Sequence, residues 1–410
     1  MAELTTLDVL LHDRKIGILT HLPNDQNFFV FDTAYVDDPQ RATLSLSFKD
    51  SFGGLITKVQ PRKTRLPPFF SNLLPEGALR EYLAERAKVK SVREFHLAWA
   101  LGRDLPGALQ IVPTDGSTAV PDDETGPTPN TTNTTGEALR FSLAGVQLKF
   151  SAVQKATGGL TIPANGTGGS WIVKLPSQKF AGVPENEFAM MELARSVGID
   201  VPETKLVPIK EIQGLPDGIE VLGDKAFAIK RFDREPDGRK VHIEDFAQVF
   251  GVYPERKYEK ASYRNIANAI WVETGEPGIT EFIRRLIFNA LIGNADMHLK
   301  NWSLIYPDTR TAELAPAYDF VSTIVFMPDN EMALSFVDSK AFASLTREQF
   351  VRFAAKVALS EKLTVRTIGE TISAFSGAWK NTAIKAIDDK TRQTIEAHLK
   401  TIPIWREFNG

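Results

Sequence analysis

Cysteine is absent from all 410 residues, which removes disulfides, thiolate zinc sites, Fe–S clusters and cysteine nucleophiles together and suits a reducing compartment. Histidine is scarce, and six residues scattered from His12 to His398 leave little for a histidine-rich metal site. No uninterrupted apolar stretch approaches the ~18–20 residues of a membrane-spanning helix. The opening MAELTTLDVLLHDRK carries an acidic residue where a secretory signal is basic, and it lacks a small-residue cleavage site. A cytoplasmic protein without membrane contact is therefore expected. Excess charge is missing as well: 48 basic against 51 acidic residues leave a net −3. No global field holds such a chain on nucleic acid or an anionic membrane, so any DNA contact is expected to come indirectly, through a partner.

What is present is an ordinary globular composition, 43% hydrophobic and 24% charged, at a length that favours two or three domains. Residues 4–60 alternate short β-rich runs (Leu7 to Leu11, Ile16 to Leu19, Phe28 to Phe31) with turn residues, then pass into a helical pattern over 76–101. This predicts a small α+β domain over 1–111. From 112 to 139 Pro, Gly, Thr, Asn and acidic residues replace apolar ones, the composition of a flexible polar linker. Residues 140–234 read as a β-rich lobe: a hairpin around Gly158-Gly159, a strand WIVKL at 171–175, a helix from Glu187 to Val197 stopped by Gly198, and a strand AFAIKRF ending at 232. Residues 235–410 read as mainly helical, with candidates at 242–250, 260–274, 279–292, 346–359, 361–379 and 381–401. The expected class is α+β, two lobes of which the first is β-rich and the second helical, preceded by the small N-terminal domain.

The densest chemical signal is NALIGNADMHLKNWSLIYPDTRTAELAPAYDF at 289–320. An apolar helix stops at Gly293 and delivers Asp296, His298, Lys300 and Asn301 onto a short loop; two short strands follow, and then Asp319. The spacing fits phosphoryl transfer, in which an Asp takes the proton of the acceptor hydroxyl, an Asn five positions later helps hold Mg²⁺, and a second Asp beyond a hairpin binds the same metal region. Asp296, Asn301 and Asp319 match those roles. Lys300 suits charge neutralisation on the transferring group, and His298 suits orientation of the loop. Upstream, Lys174 on a strand and Glu187 at the start of the next helix match the phosphate-positioning lysine and its carboxylate partner, and Ala144-Gly145 lets backbone approach phosphates. The residue types also fit a metal-dependent phosphoester hydrolase with Asp296, His298 and Asp319 as ligands, or a non-catalytic binding module on a kinase-like fold.

Across nearly its whole length the chain resembles the HipA-family serine/threonine kinases, toxins of type II toxin–antitoxin systems. The resemblance rests on PPFFSNLLPEG (67–77), LGRDLPGALQI (101–111), RFSLAGVQLK (140–149), IVKLP (172–176), ENEFAMMELA (185–194), KRFDR (230–234), GNADMHLKN (293–301) and PAYDF (316–320). It implies a two-lobed protein-kinase-like fold with Asp296 as catalytic base and Asn301 and Asp319 as Mg²⁺ ligands. Around ATP it places a phosphate loop of Ala144, Gly145, Val146, Gln147, Leu148 and Lys149, together with Lys174, His298, Lys300 and Tyr318. It assigns Lys230, Arg231 and Phe232 to the adenine-facing strand and Asp233 to the ribose. It further implies autophosphorylation at Ser142 as an off-switch, an aminoacyl-tRNA synthetase as protein substrate, and a DNA-binding antitoxin of the HipB type as partner.

Overall fold

A computed structural model of the chain describes residues 5–117, 120–121, 149–154, 160–162, 168–177, 179–215, 223–327, 331–381 and 387–409. Ser142 and Ala144 to Leu148 lie outside the described residues, as do 122–139 of the expected linker.

The N-terminal segment forms an antiparallel sheet of β1 (Thr5–Leu11), β2 (Arg14–His21), β3 (Gln26–Phe31), β4 (Arg62–Lys63) and β5 (Leu109–Pro113), in the order β4-β3-β2-β1-β5. In β1, Leu7, Val9 and Leu11 are buried while alternate residues are not, the period-2 pattern of a strand packed on one face. The β1–β2 turn is only His12 and Asp13, both in the left-handed region (φ 50° and 60°), as two-residue hairpins require. Four helices complete the unit: α1 (Thr33–Val36), α2 (Pro68–Ser71), α3 (Gly77–Arg86) and α4 (Glu94–Leu101). They close a core around Leu7, Phe29, Phe70, Phe95 and Ile111. The expected 76–101 helix is thus two helices, and Lys88 at φ 57° turns the chain between them. β5 also runs two residues beyond the expected domain end at 111.

The second sheet comprises β6 (Lys149–Gln154), β7 (Leu160–Thr161), β8 (Trp171–Lys174), β9 (Thr204–Pro208), β10 (Ile212–Gln213) and β11 (Lys225–Lys230), ordered β10-β7-β6-β8-β11-β9. β8 lies inside this sheet with antiparallel neighbours on both edges, so Trp171 and Val173 are buried on one face. Helix α5 (Val183–Ser196) packs against β9 and β11. It begins four residues earlier than the sequence suggests, because Gly182 at φ 78° turns the chain and Pro184 pre-sets the first turn. It ends before Gly198, at φ 86°.

The remainder is mainly helical. The stretch expected as a helix over 242–250 is instead a strand, β12 (His242–Asp245), followed by the single turn α6 (Phe246–Val249). Pairing decides this, since β12 joins β13 (Ser303–Tyr306), which joins β14 (Glu313–Leu314). A capping box between Asp245 and Gln248 then starts the helical turn. Helix α7 (Tyr263–Ile292) is broken at Gly275 (φ 66°, ψ −156°), two residues before Pro277. Its second half is almost wholly buried through Phe282, Ile283, Leu286, Ile287 and Leu291. The hairpin β15 (Glu331–Phe336) and β16 (Ser339–Ala341) precedes α8 (Arg347–Lys356), α9 (Glu361–Asn381), α10 (Asp389–Leu399) and α11 (Pro403–Asn409). α9, α10 and α7 share one continuous core.

Polar contacts seat the N-terminal unit on this body. Buried Glu244 accepts hydrogen bonds from Ser45 Oγ (2.5 Å), the Leu46 N–H (3.0 Å) and Tyr306 Oη (2.5 Å). His242 Nε2 lies 2.7 Å from the Leu44 carbonyl, and Asn72 Nδ2 donates to the Val252 carbonyl at 2.7 Å.

Candidate active site

The loop after α7 is built by its own backbone bonds. Gly293 adopts φ 65°, where an added Cβ would meet Ile324 Cδ1 at 2.5 Å, so only glycine fits the turn. Asn294 then organises the loop: its Nδ2 donates to Asn289 Oδ1 (2.8 Å) and its Oδ1 accepts from the Asp296 N–H (3.0 Å). The Ala295 N–H donates to Thr323 Oγ1 at 2.8 Å, and Tyr263 Oη donates to the Met297 carbonyl at 3.1 Å. Asp296 is therefore presented by a loop whose backbone groups are satisfied on both sides.

Asp296 accepts a hydrogen bond from Tyr258 Oη at 2.5 Å. Burial raises its carboxyl above the usual range; the Tyr258 bond opposes that rise and the nearby Asp319 charge adds to it. A carboxylate so tuned suits a general base better than an ordinary surface Asp. Asn301 is buried and donates through Nδ2 to the Asp296 carbonyl (2.9 Å), which turns its Oδ1 to serve as an acceptor elsewhere. His298 opens a short 3₁₀ turn and its Nδ1 accepts from the Lys300 N–H at 3.2 Å. Burial and the Lys257 ammonium push its imidazole down to about 3, so it is neutral at pH 7. A cleft of about 300 Å³ opens beside Asp296, lined by Tyr258, Thr323, Met327, Glu331 and Lys340 among others.

A second cluster of charges is organised by Lys174. Its Nζ donates to Glu187 Oε1 (2.5 Å) and to Asp319 Oδ1 (2.5 Å), joining β8, α5 and the segment after β14. Burial would raise Asp319, but the Lys174 ammonium prevails and holds it at about 2, a permanent anion. Burial pushes Glu187, fully inaccessible to solvent, up to about 7 against the pull of Lys174. Asp319 thus carries the firm negative charge of the triad. Its backbone sits at φ 63°, a conformation Asp tolerates better than most residues and one that clusters at working sites. Lys149 faces Lys174 directly across the β6–β8 pair, so two ammonium-bearing residues share that end of the sheet. Mg²⁺ takes hard oxygen ligands and usually only one or two protein carboxylates beside phosphates and water. The Asp319 carboxylate and the Asn301 amide oxygen fit that donor set. Among the described residues no cluster of three His, Cys, Asp or Glu offers a self-sufficient metal cage.

Other expected site residues have different surroundings. Lys300 Nζ is 2.9 Å from Glu76 Oε1 and donates to the Asn72 carbonyl at 2.8 Å, both on the N-terminal unit. Arg231 and Asp233 are buried at the domain junction: Asp233 Oδ2 accepts from Arg231 Nη2 (2.8 Å), Arg234 Nη1 (2.7 Å) and the Gly107 N–H (2.8 Å). Lys230 is exposed, and its N–H donates to the Glu203 carbonyl. Of this segment, Phe232 is the residue that reaches Tyr318, with ring centroids 5.8 Å apart. Tyr318 Oη donates to the Lys300 carbonyl at 2.9 Å. Sequence reasoning assigned no role to Tyr258, Asn294, Glu76 or Lys257. Asn294 and Glu76 lie in quoted motifs, whereas Tyr258 lies in a polar stretch without any signal.

Residues 141–379 match the family described as the HipA-like C-terminal domain, and residues 7–112 match that of the HipA N-terminal domain. The candidate kinase Y4dM of Sinorhizobium fredii is 54% identical over 415 residues, covering 100% of both chains. The serine/threonine-protein kinase toxin HipA of Shewanella oneidensis is 27% identical, over 90% of this chain and 87% of that one. A solved chain from the Shewanella oneidensis complex of HipA, HipB and operator DNA shares the fold with a TM-score of 0.71 at 22% identity, over 98% of this chain and 96% of that one.

Proposed function

The chain belongs to the HipA family, and on that premise we propose that it is an ATP- and Mg²⁺-dependent serine/threonine protein kinase acting as the toxin of a toxin–antitoxin pair. The observation that carries this reading is the Lys174 bridge between Glu187 and Asp319, on the phosphate side of the loop that presents Asp296. A fixed cation able to bind phosphates near a carboxylate able to take a hydroxyl proton supports this reading. Asn301 and Asp319 would hold Mg²⁺, which when bound neutralises charge on the phosphates. Lys174 orients the phosphates, the acceptor hydroxyl enters the cleft beside Tyr258, and its proton passes to an Asp296 carboxylate oxygen as the hydroxyl oxygen bonds to the γ-phosphorus and ADP leaves. Tyr258 donates to Asp296 Oδ1 and so orients the carboxylate, whose Oδ2 is the oxygen that takes the acceptor proton.

The same reading extends to a cytoplasmic location, an aminoacyl-tRNA synthetase as substrate, autophosphorylation at Ser142, and a HipB-type antitoxin that carries the DNA contact. The near-neutral charge of this chain supports that division of labour. The test is incubation of wild type and Asp296→Asn with radiolabelled ATP, Mg²⁺ and a cell extract. Protein-bound label is expected with wild type and a loss of about 10²–10⁴-fold with Asp296→Asn. Release of free phosphate alone would identify a phosphoester hydrolase, and cellular toxicity that survives Asp296→Asn would identify a non-catalytic binding module.

A further inference from the structure

Glu76 belongs to the N-terminal unit, yet its carboxylate reaches the loop that presents Asp296. One oxygen lies 3.0 Å from Lys257 Nζ and the other 2.9 Å from Lys300 Nζ. Each lysine immediately precedes a residue that touches Asp296. Lys257 precedes Tyr258, whose hydroxyl donates to the Asp296 carboxylate, and Lys300 precedes Asn301, whose amide donates to the Asp296 carbonyl. The Leu299 N–H donates to the Lys257 carbonyl at 3.4 Å, so the two arms also meet each other. Glu76 stands at the N-cap of α3 but makes no capping hydrogen bond with its side chain. Its carboxylate is turned to the two lysines of the body instead. Asn72, four residues earlier, adds its carbonyl oxygen to Lys300 and its amide to Val252.

We propose that Glu76 is a positioning residue for phosphoryl transfer, through which the N-terminal unit fastens both arms of the loop that holds Asp296. The inference rests on the kinase reading. Lys300 then acts as a tether, held by Glu76 and Asn72, and not as a ligand of the transferring phosphoryl group. The N-terminal unit becomes a working part of the catalytic machinery, and any partner that shifts it shifts Asp296.

The test combines steady-state kinetics with hydrogen exchange on the full chain. Glu76→Gln is expected to lower kcat about tenfold to a hundredfold with KM for ATP unchanged, since Lys174 is untouched. It is also expected to speed exchange of the Leu299, Lys300 and Asn301 amides about tenfold. Glu76→Asp, which keeps the charge, recovers part of the loss. Lys49→Met breaks another contact between the two units, the pair with Glu273 at 3.1 Å, and leaves kcat at the wild-type value. Wild-type kcat and exchange in Glu76→Gln, or an equal loss of kcat in Lys49→Met, would overturn the positioning role while the kinase reading stands. A wild-type chain that transfers no phosphate to protein overturns the kinase reading and the positioning role with it.

Discussion

Lys174 shows why residue type and position must be read together. Alone, a strand lysine is a solvated cation; here its ammonium bridges two carboxyl groups, one of them fully buried. Removing one partner of such a set leaves charge buried without compensation, which is why these groups are held as a unit. Glu244 is the complementary case, a buried acid with hydrogen bonds but, among the described residues, no ion pair to a cation. Burial pushes its carboxyl up to about 7, against the opposing bonds from Ser45, Tyr306 and Leu46. Between the usual carboxylate range and that value, the folded state holds a proton that the unfolded chain has lost. Stability contributed by neutral Glu244 is therefore fully present below about pH 4.5 and drains away as pH rises through about 7. The full effect is on the order of 3 kcal/mol. Glu244→Gln, which cannot ionise, is expected to flatten the pH dependence of stability between pH 5 and 7.5, as read from urea midpoints across that range. An unchanged slope would remove Glu244 as its source.

At the scale of elements, the joint between α7 and the Asp296 loop is tightly constrained. The helix is almost completely buried up to Ile292, and Gly293 turns out of it at φ 65° with Ile324 packed against the space where a side chain would be. Gly293→Ala adds a methyl group in a left-handed conformation and displaces Ile324, whose N–H donates to the Gly293 carbonyl. It is expected to destabilise the fold by about 1–3 kcal/mol from the backbone alone. It should also lower phosphorylation, because Asn294 and Thr323, which orient Asp296, shift with the joint. Denaturant titration and the labelling assay on the same preparation check both outcomes. This joint was legible in the sequence, since an apolar helical run followed by Gly is an ordinary stop signal. The 242–250 segment was not. The mixed apolar and polar sequence HIEDFAQVF fits a helix as well as a strand, and only pairing with β13, 60 residues later, decides between them.

For the whole molecule, the two units are not independent modules. Glu244, His242, Asp233 and Lys300 all lie on the body and all take partners from the N-terminal unit. A chain beginning at residue 118 retains Asp296, Asn301, Asp319, Lys174 and Glu187, yet it leaves Glu244 and Asp233 without several of their hydrogen bonds. It is expected to be poorly soluble and inactive, and co-expression with residues 1–117 should restore soluble, active protein. Full activity of the shortened chain in the labelling assay would show that the seam is dispensable. The sequence alone determined the local features: the β-rich and helical stretches, the loop carrying Asp296 to Asn301, and the order of lysine, helical glutamate, loop and final Asp319. Each is encoded within a short window by periodicity, turn residues and spacing. Tertiary structure decided which charges meet. Lys300 turned to Glu76 and not outward, Arg231 and Asp233 closed on Asp104 and Gly107, and Tyr258 came to rest on Asp296. Such choices depend on distances between residues 38 to more than 200 positions apart in the chain, which no local pattern records.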